Sequence, residues 1–237
     1  MKPLRTFLLA VLVAVATPVG AATADDCIAM IGTGSVGSAL GPRFAGLGER
    51  IVYGSRTPQT ERVQALVART GTDSAALEPA AAASACTTVV LAVPWEAVEA
   101  TMRSLGRLDD KLIIDVTNPL DVRDGRVLEI DLPHSGGEFV QSLAPRAMVV
   151  KAFNTVNFRI MTDPTAAGGP VSVPLAGDDG PAKARVAALV SGIGLEPVDV
   201  GPLSMARYTE AMALLYVNRL VSGRNPFEFH LRAWPSR

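Results

Sequence analysis

A run of five apolar or small residues, Cys27 to Ile31, leads without a gap into GTGSVGSALG, residues 32 to 41. Gly32, Gly34 and Gly37 stand in GxGxxG spacing where a buried strand passes into a helix. That placement gives each glycine a separate physical role. The first permits the tight turn, the second lets backbone approach a pyrophosphate, and the third lets helix pack on strand. Thr33, Ser35 and Val36 complete the loop, and the free N–H groups at the helix start meet the phosphates. The spacing therefore predicts a dinucleotide site opening a βαβ unit.

The rest of the chain repeats the alternation. Strands are expected at 27–31, 50–54, 87–93, 111–116, 147–153, 171–177 and 195–200. Helices are expected near 35–47, 58–70, 95–105, 135–144, 180–192 and 203–221. Continuous apolar strands alternating with helices belong to a parallel sheet covered on both faces. Right-handed crossovers make it doubly wound. The predicted fold class is α/β, a Rossmann-type, mainly parallel sheet with a small C-terminal extension. DPTAAGGP, residues 163 to 170, reads as a linker, dividing residues 25–163 (the nucleotide domain) from residues 164–237. The extension either continues the same sheet or forms a compact lobe.

Which nucleotide is decided at the end of the second strand. An NAD site wants an acid there for the ribose 2′-OH, whereas this chain has YGSRTP, with Ser55 and Arg56 in its place. A guanidinium fork beside a hydroxyl suits an adenosine 2′-phosphate, so NADP(H) is expected over NAD. Three later loops, AVPWEAV, DVTNPL and KAFNTV, follow strand carboxyl ends, where ligands of such sheets sit. They place Val93, Pro94, Asn118, Ala152 and Asn154 near the nicotinamide, with Asn154 a candidate orienting residue. Neutral groups suffice for hydride transfer between two bound cofactors, which needs alignment and exclusion of water, so no dedicated catalytic residue is expected.

Taken together, these segments resemble the NADPH-dependent reductases of the deazaflavin coenzyme F420, and the reductase domain of the six-transmembrane metalloreductases. The resemblance runs over residues 27 to 221 through IGTGSVGSAL, YGSRTP, VPWEAV, DVTNPL, VVKAFNTV, VPLAGDD and GLEPVDVGPLSMARYTEAM. It implies that Thr33, Ser55 and Arg56 hold the 2′-phosphate. Val93 and Pro94 would then flank the nicotinamide, and residues 152 to 154 would shape the hydride-transfer face. GPLSMAR and the last helix would close the second-cofactor side. The acceptor stays open among FAD, FMN and coenzyme F420. A non-catalytic NADP(H)-binding redox sensor or scavenging module, and a partner-binding descendant with an empty pocket, stand as alternatives.

The chain opens MKPLRTFLLAVLVAVATPVGAATADD. Lys2 and Arg5 precede a ten-residue apolar run, Phe7 to Ala16, half of the ~20 residues a membrane span requires. Pro18 and Gly20 break it, and small residues follow at the spacing a signal peptidase reads. Residues 1–24 are expected to be a signal peptide, and the mature protein periplasmic or secreted, with an uncleaved membrane anchor as the alternative.

The 22 basic and 23 acidic residues nearly cancel, which argues against a nucleic-acid partner. The expected partners are a small-molecule cofactor or flavin acceptor, with a homodimer left open. His134 and His230 are far apart and no metal set can be assembled. Cys27 and Cys86 begin neighbouring strands but are not obviously level, which favours two small buried thiols over the bridge an oxidising compartment would allow.

Overall fold

The computed structural model describes residues 25–123, 126–129 and 132–233; the expected signal peptide, residues 1–24, lies outside them. In chain order the elements are β1 (Asp25–Ile31), α1 (Ser35–Ala45), β2 (Ile51–Gly54), α2 (Glu61–Thr70), β3 (Ala75–Leu77), α3 (Pro79–Ala85) and β4 (Cys86–Leu91). There follow α4 (Val98–Ser104), β5 (Leu112–Asp115), β6 (Leu120–Arg123), β7 (Arg126–Glu129), α5 (Gly136–Leu143), β8 (Met148–Lys151) and α6 (Phe158–Thr162). The last are β9 (Ser172–Gly177), α7 (Gly180–Gly192), β10 (Glu196–Gly201) and α8 (Ala206–Val221).

Eight strands form one sheet in the order β10-β9-β8-β5-β4-β1-β2-β3. From β8 to β3 all are parallel, so the carboxyl ends of β1, β2, β4, β5 and β8 lie along one edge. Helices cover both faces, and β1 shows why its run from Cys27 to Ile31 is apolar: Ile28 and Met30 point into one core with Phe44, while Cys27, Ala29 and Ile31 point into the other. Among the described residues no helix is long and apolar enough to cross a membrane.

The C-terminal strands continue the same sheet instead of forming a lobe. β9 pairs antiparallel with β8, through Val150 opposite Gly177 and Lys151 opposite Ala176, and β10 then pairs parallel with β9. The expected linker is partly a 3-10 turn, Pro164–Ala167, after the five-residue α6. A helix so short advances only ~8 Å, too little to carry the chain back along the sheet, so it re-enters from the carboxyl side and runs the opposite way.

One expectation is corrected. Cys27 and Cys86 form a disulfide, with Cα atoms 4.8 Å apart. The ladder sets Asp25 opposite Cys86, then slips before Ile28 meets Thr88, and the two cysteines bond across this irregularity.

The tail beyond α8 is tied to the start of β9: Ser172 N–H donates to the Phe229 carbonyl at 2.7 Å, and Leu231 N–H donates to Ser172 Oγ at 2.8 Å. Beside these bonds Glu228 is half-buried, its Oε2 has no partner, and burial pushes its carboxyl up to about 7. A carboxyl raised on folding is protonated more readily in the native state, so stability should fall as pH rises from 4.5 to about 7 and level off above. Glu228→Gln should remove that slope, matching the parent at acid pH and melting higher above about 7 in thermal scans.

Candidate functional site

At the carboxyl edge of β1, β2 and β4 lies a cleft of about 730 Å³. Gly32, Thr33 and Gly34 form its floor, Ser55 and Arg56 one side, and Val93 and Pro94 the other. Two arginines and no carboxylate line it.

The floor is built by glycine where nothing else fits. Gly32 has φ +111°, and a Cβ there would stand 2.3 Å from the Ala92 carbonyl oxygen. A Cβ on Gly37 would stand 2.0 Å from the Gly32 carbonyl oxygen, so Gly37 fixes how closely α1 approaches its strand. Gly34 differs, because a Cβ there would meet nothing within 4 Å and would project into open space. It precedes α1 as the N-cap, with no side-chain hydrogen bond to the first turn and no acid within it. The N–H groups of that turn are thereby left for an anion. Gly34→Ala should leave the thermal midpoint unchanged and weaken dinucleotide binding by about tenfold or more, whereas Gly37→Ala should prevent correct packing of α1. Thermal melts beside ligand titrations separate the two.

Past β2, the buried Ser55 hydroxyl oxygen accepts from Thr57 N–H at 3.2 Å. Arg62, on the first turn of α2, also lines the cleft. It donates to the Thr33 carbonyl at 2.8 Å and to Thr33 Oγ1 at 3.0 Å, tying α2 to the glycine loop. The sequence reading missed Arg62, although a second arginine at the start of α2, six residues after Arg56, was there to see. Gly32, Thr33, Gly34, Ser55, Arg56, Val93 and Pro94 are thus brought together, while Ser35, Val36 and Gly37 open α1 without lining the cleft.

A second group stands at the ends of β5 and β8. Asn118 Nδ2 donates to the Asn154 carbonyl at 2.9 Å, and Asn154 Nδ2 donates to Asn118 Oδ1 at 3.0 Å. Neither lines the dinucleotide cleft, nor does the fully buried Ala152. Phe153, between Ala152 and Asn154, takes φ +62°, which turns the chain sharply after β8 while its ring packs 6.0 Å from Phe44. Asn154 Oδ1 and Thr155 Oγ1 are buried and have no partner in the protein. Buried polar atoms left unpaired cost free energy unless a ligand completes them. The glycine cradle and the two arginines fit a nicotinamide dinucleotide with a phosphorylated ribose, and the unspent Asn154 and Thr155 atoms lie outside that cleft. Among the described residues no group of His, Cys, Asp and Glu is placed to hold a metal.

The comparisons agree with this geometry. The family model described as NADP oxidoreductase, coenzyme F420-dependent, matches residues 27–119. The F420-dependent NADP reductase of Methanothermobacter thermautotrophicus is 31% identical over 219 residues, covering 83% of this chain and 90% of that enzyme. Metalloreductase STEAP3 of Rattus norvegicus is 29% identical over 190 residues; the match takes in 79% of this chain but only 36% of the rat protein. A crystal structure from Arthrobacter sp. FB24, provisionally named an F420-dependent NADP-reductase, superposes with TM-score 0.77 at 30% identity, covering 87% of this chain and 99% of that one. With its glycine cradle, its arginine pair and a relative matched over nine-tenths of its length, the chain belongs to the coenzyme F420-dependent NADP oxidoreductase family.

Proposed function

We propose that this protein binds NADP(H) in the glycine cleft and passes a hydride between it and a flavin or deazaflavin (FAD, FMN or coenzyme F420) seated against the Asn118–Asn154 pair. The observation that carries the reading is that Arg56, just after β2, and Arg62, at the start of α2, both line a cleft in which no lining residue is an acid. Two guanidinium groups and the Ser55 hydroxyl match a 2′-phosphate dianion and offer nothing to a free 2′-OH that an acid would have held. The name borne by the Methanothermobacter relative supports an NADP-linked redox role, and that of the rat metalloreductase a reductase.

When bound, NADPH supplies the hydride from its reduced nicotinamide. The chain's own residues then align and enclose. First-turn N–H groups of α1 hold the pyrophosphate, and Val93 and Pro94 wall the nicotinamide side. Asn154, its amide group already committed to Asn118, is the orienting residue of the acceptor side. No group of the chain has to give or take a proton in such a transfer, which depends on distance and exclusion of water.

The buried Cys27–Cys86 bridge supports a periplasmic or secreted location, as does the leader, because disulfides persist in oxidising compartments. The same bridge favours a second reading, a non-catalytic NADP(H) sensor, since NADPH is scarce outside the cytoplasm. Following NADPH absorbance with the purified mature protein and FMN, FAD or coenzyme F420 in turn decides between them. Acceptor-dependent oxidation is the expected result. Binding without oxidation by any acceptor would favour the sensor, and no binding would refute both.

A further inference from the structure

Beneath the Asn118–Asn154 pair lies a cluster of three ionisable side chains that the proposed hydride transfer does not use. Lys151, the last residue of β8, is fully buried; its Nζ donates to Asp115 Oδ2 at 2.9 Å and to Glu210 Oε1 at 2.8 Å. Asp115 is fully buried as well, and Glu210 is 5% exposed. Burial alone would push the Lys151 ammonium down, but the two carboxylates outweigh it and hold it above the usual lysine range. The carboxylates are saturated by further donors. Asp115 Oδ1 accepts from Thr117 N–H and Oγ1, while Glu210 accepts from Gly136 N–H at 3.0 Å and Gly137 N–H at 3.1 Å.

Removing three charges from water costs several kcal/mol per ion, and well-packed apolar side chains would hold these elements together at least as well. What apolar contacts do not give is a fixed register, the best-attested use of buried ionic groups. The cluster joins four segments: the turn after β5 that leads to Asn118, the turn after β8 that leads to Asn154, the start of α5, and α8. Cleft residues that would meet the dinucleotide phosphates, Thr33, Ser55, Arg56 and Arg62, lie on other elements and touch none of its members.

Resting on the reading of a flavin-type acceptor, we propose that Asp115, Lys151 and Glu210 are positioning residues for the acceptor half of the site. They set the Asn118 and Asn154 turns and α8 against the acceptor, and leave the dinucleotide half alone. The two halves should therefore separate under substitution.

Glu210→Gln is the informative change, because it keeps the shape and an acceptor oxygen while removing one of the two charges that hold Lys151. In the full-length mature protein we expect NADPH affinity within about twofold of the parent, by fluorescence titration, and kcat/KM for FMN reduced by about tenfold or more. Hydrogen exchange with NADPH bound should be faster at residues 116–118 and 152–157 and unchanged at residues 32–37. Lys151→Met should exaggerate the same pattern; if it fails to fold, Glu210→Gln alone decides. Parental exchange at both turns would overturn the proposal, as would folded Glu210→Gln with unaltered FMN kinetics. If the parent protein oxidises NADPH with no acceptor, the reading of function fails instead, and the exchange pattern still tests the positioning role.

Discussion

Replacing Arg56 and Arg62 together by alanine should abolish the protein's preference for NADPH over NADH. A hydrogen bond to a charged group contributes about 1.5–3 kcal/mol, so each arginine facing a 2′-phosphate is expected to change NADPH affinity by roughly ten- to a hundredfold. NADH lacks that phosphate, and its affinity should move by no more than about threefold with Arg56→Ala. Arg62→Ala should weaken both nucleotides somewhat, because Arg62 also holds the Thr33 carbonyl and hydroxyl in the glycine loop. Calorimetric titration of the parent and the three variants checks this. Equal losses for NADPH and NADH with Arg56→Ala would show that the cleft does not read a 2′-phosphate.

The second large effect concerns the bridge between β1 and β4. Cys27 and Cys86 are 59 residues apart, and closing a loop of that length is expected to contribute about 4 kcal/mol through the unfolded chain. In a domain of this size Cys27→Ser with Cys86→Ser should lower the melting temperature by about 10 °C. Both cysteines are at most 1% exposed, so a reductant should act on the native protein only as it opens. Maleimide labelling of the purified protein after denaturation should find no thiols before reduction and two afterwards. Two thiols before reduction would show that the bridge is not formed where the protein accumulates.

The strands were legible because burial on both faces makes them continuous apolar runs, and the glycine loop because the φ of Gly32 and the close contacts of Gly32 and Gly37 admit nothing else there. Less could be read where tertiary context decides. β3 has three residues and α3 seven, mostly alanine, too few for a period to emerge. The hairpin β6–β7 went unpredicted, although Asp124-Gly125 between two β-prone runs is a known hairpin signal. The reversed direction of β9 follows from the shortness of α6, and the cysteines bond across a slip in the β1–β4 ladder; neither is written in a local pattern. In the site, Arg56 was found because it replaces an expected acid. The Asp115–Lys151–Glu210 cluster depends on a helix folding back onto two strands, which residue spacing does not reveal.

The central claim is direct hydride transfer from NADPH held in the glycine cleft. It is tested most directly by mixing the mature protein anaerobically with NADPH deuterated at the transferring position and a deazaflavin acceptor, whose carbon retains the label. The predicted result is one deuterium in each reduced acceptor, formed more slowly with Gly34→Ala at subsaturating NADPH. NADPH consumed without label in the acceptor, or not consumed at all, would contradict it.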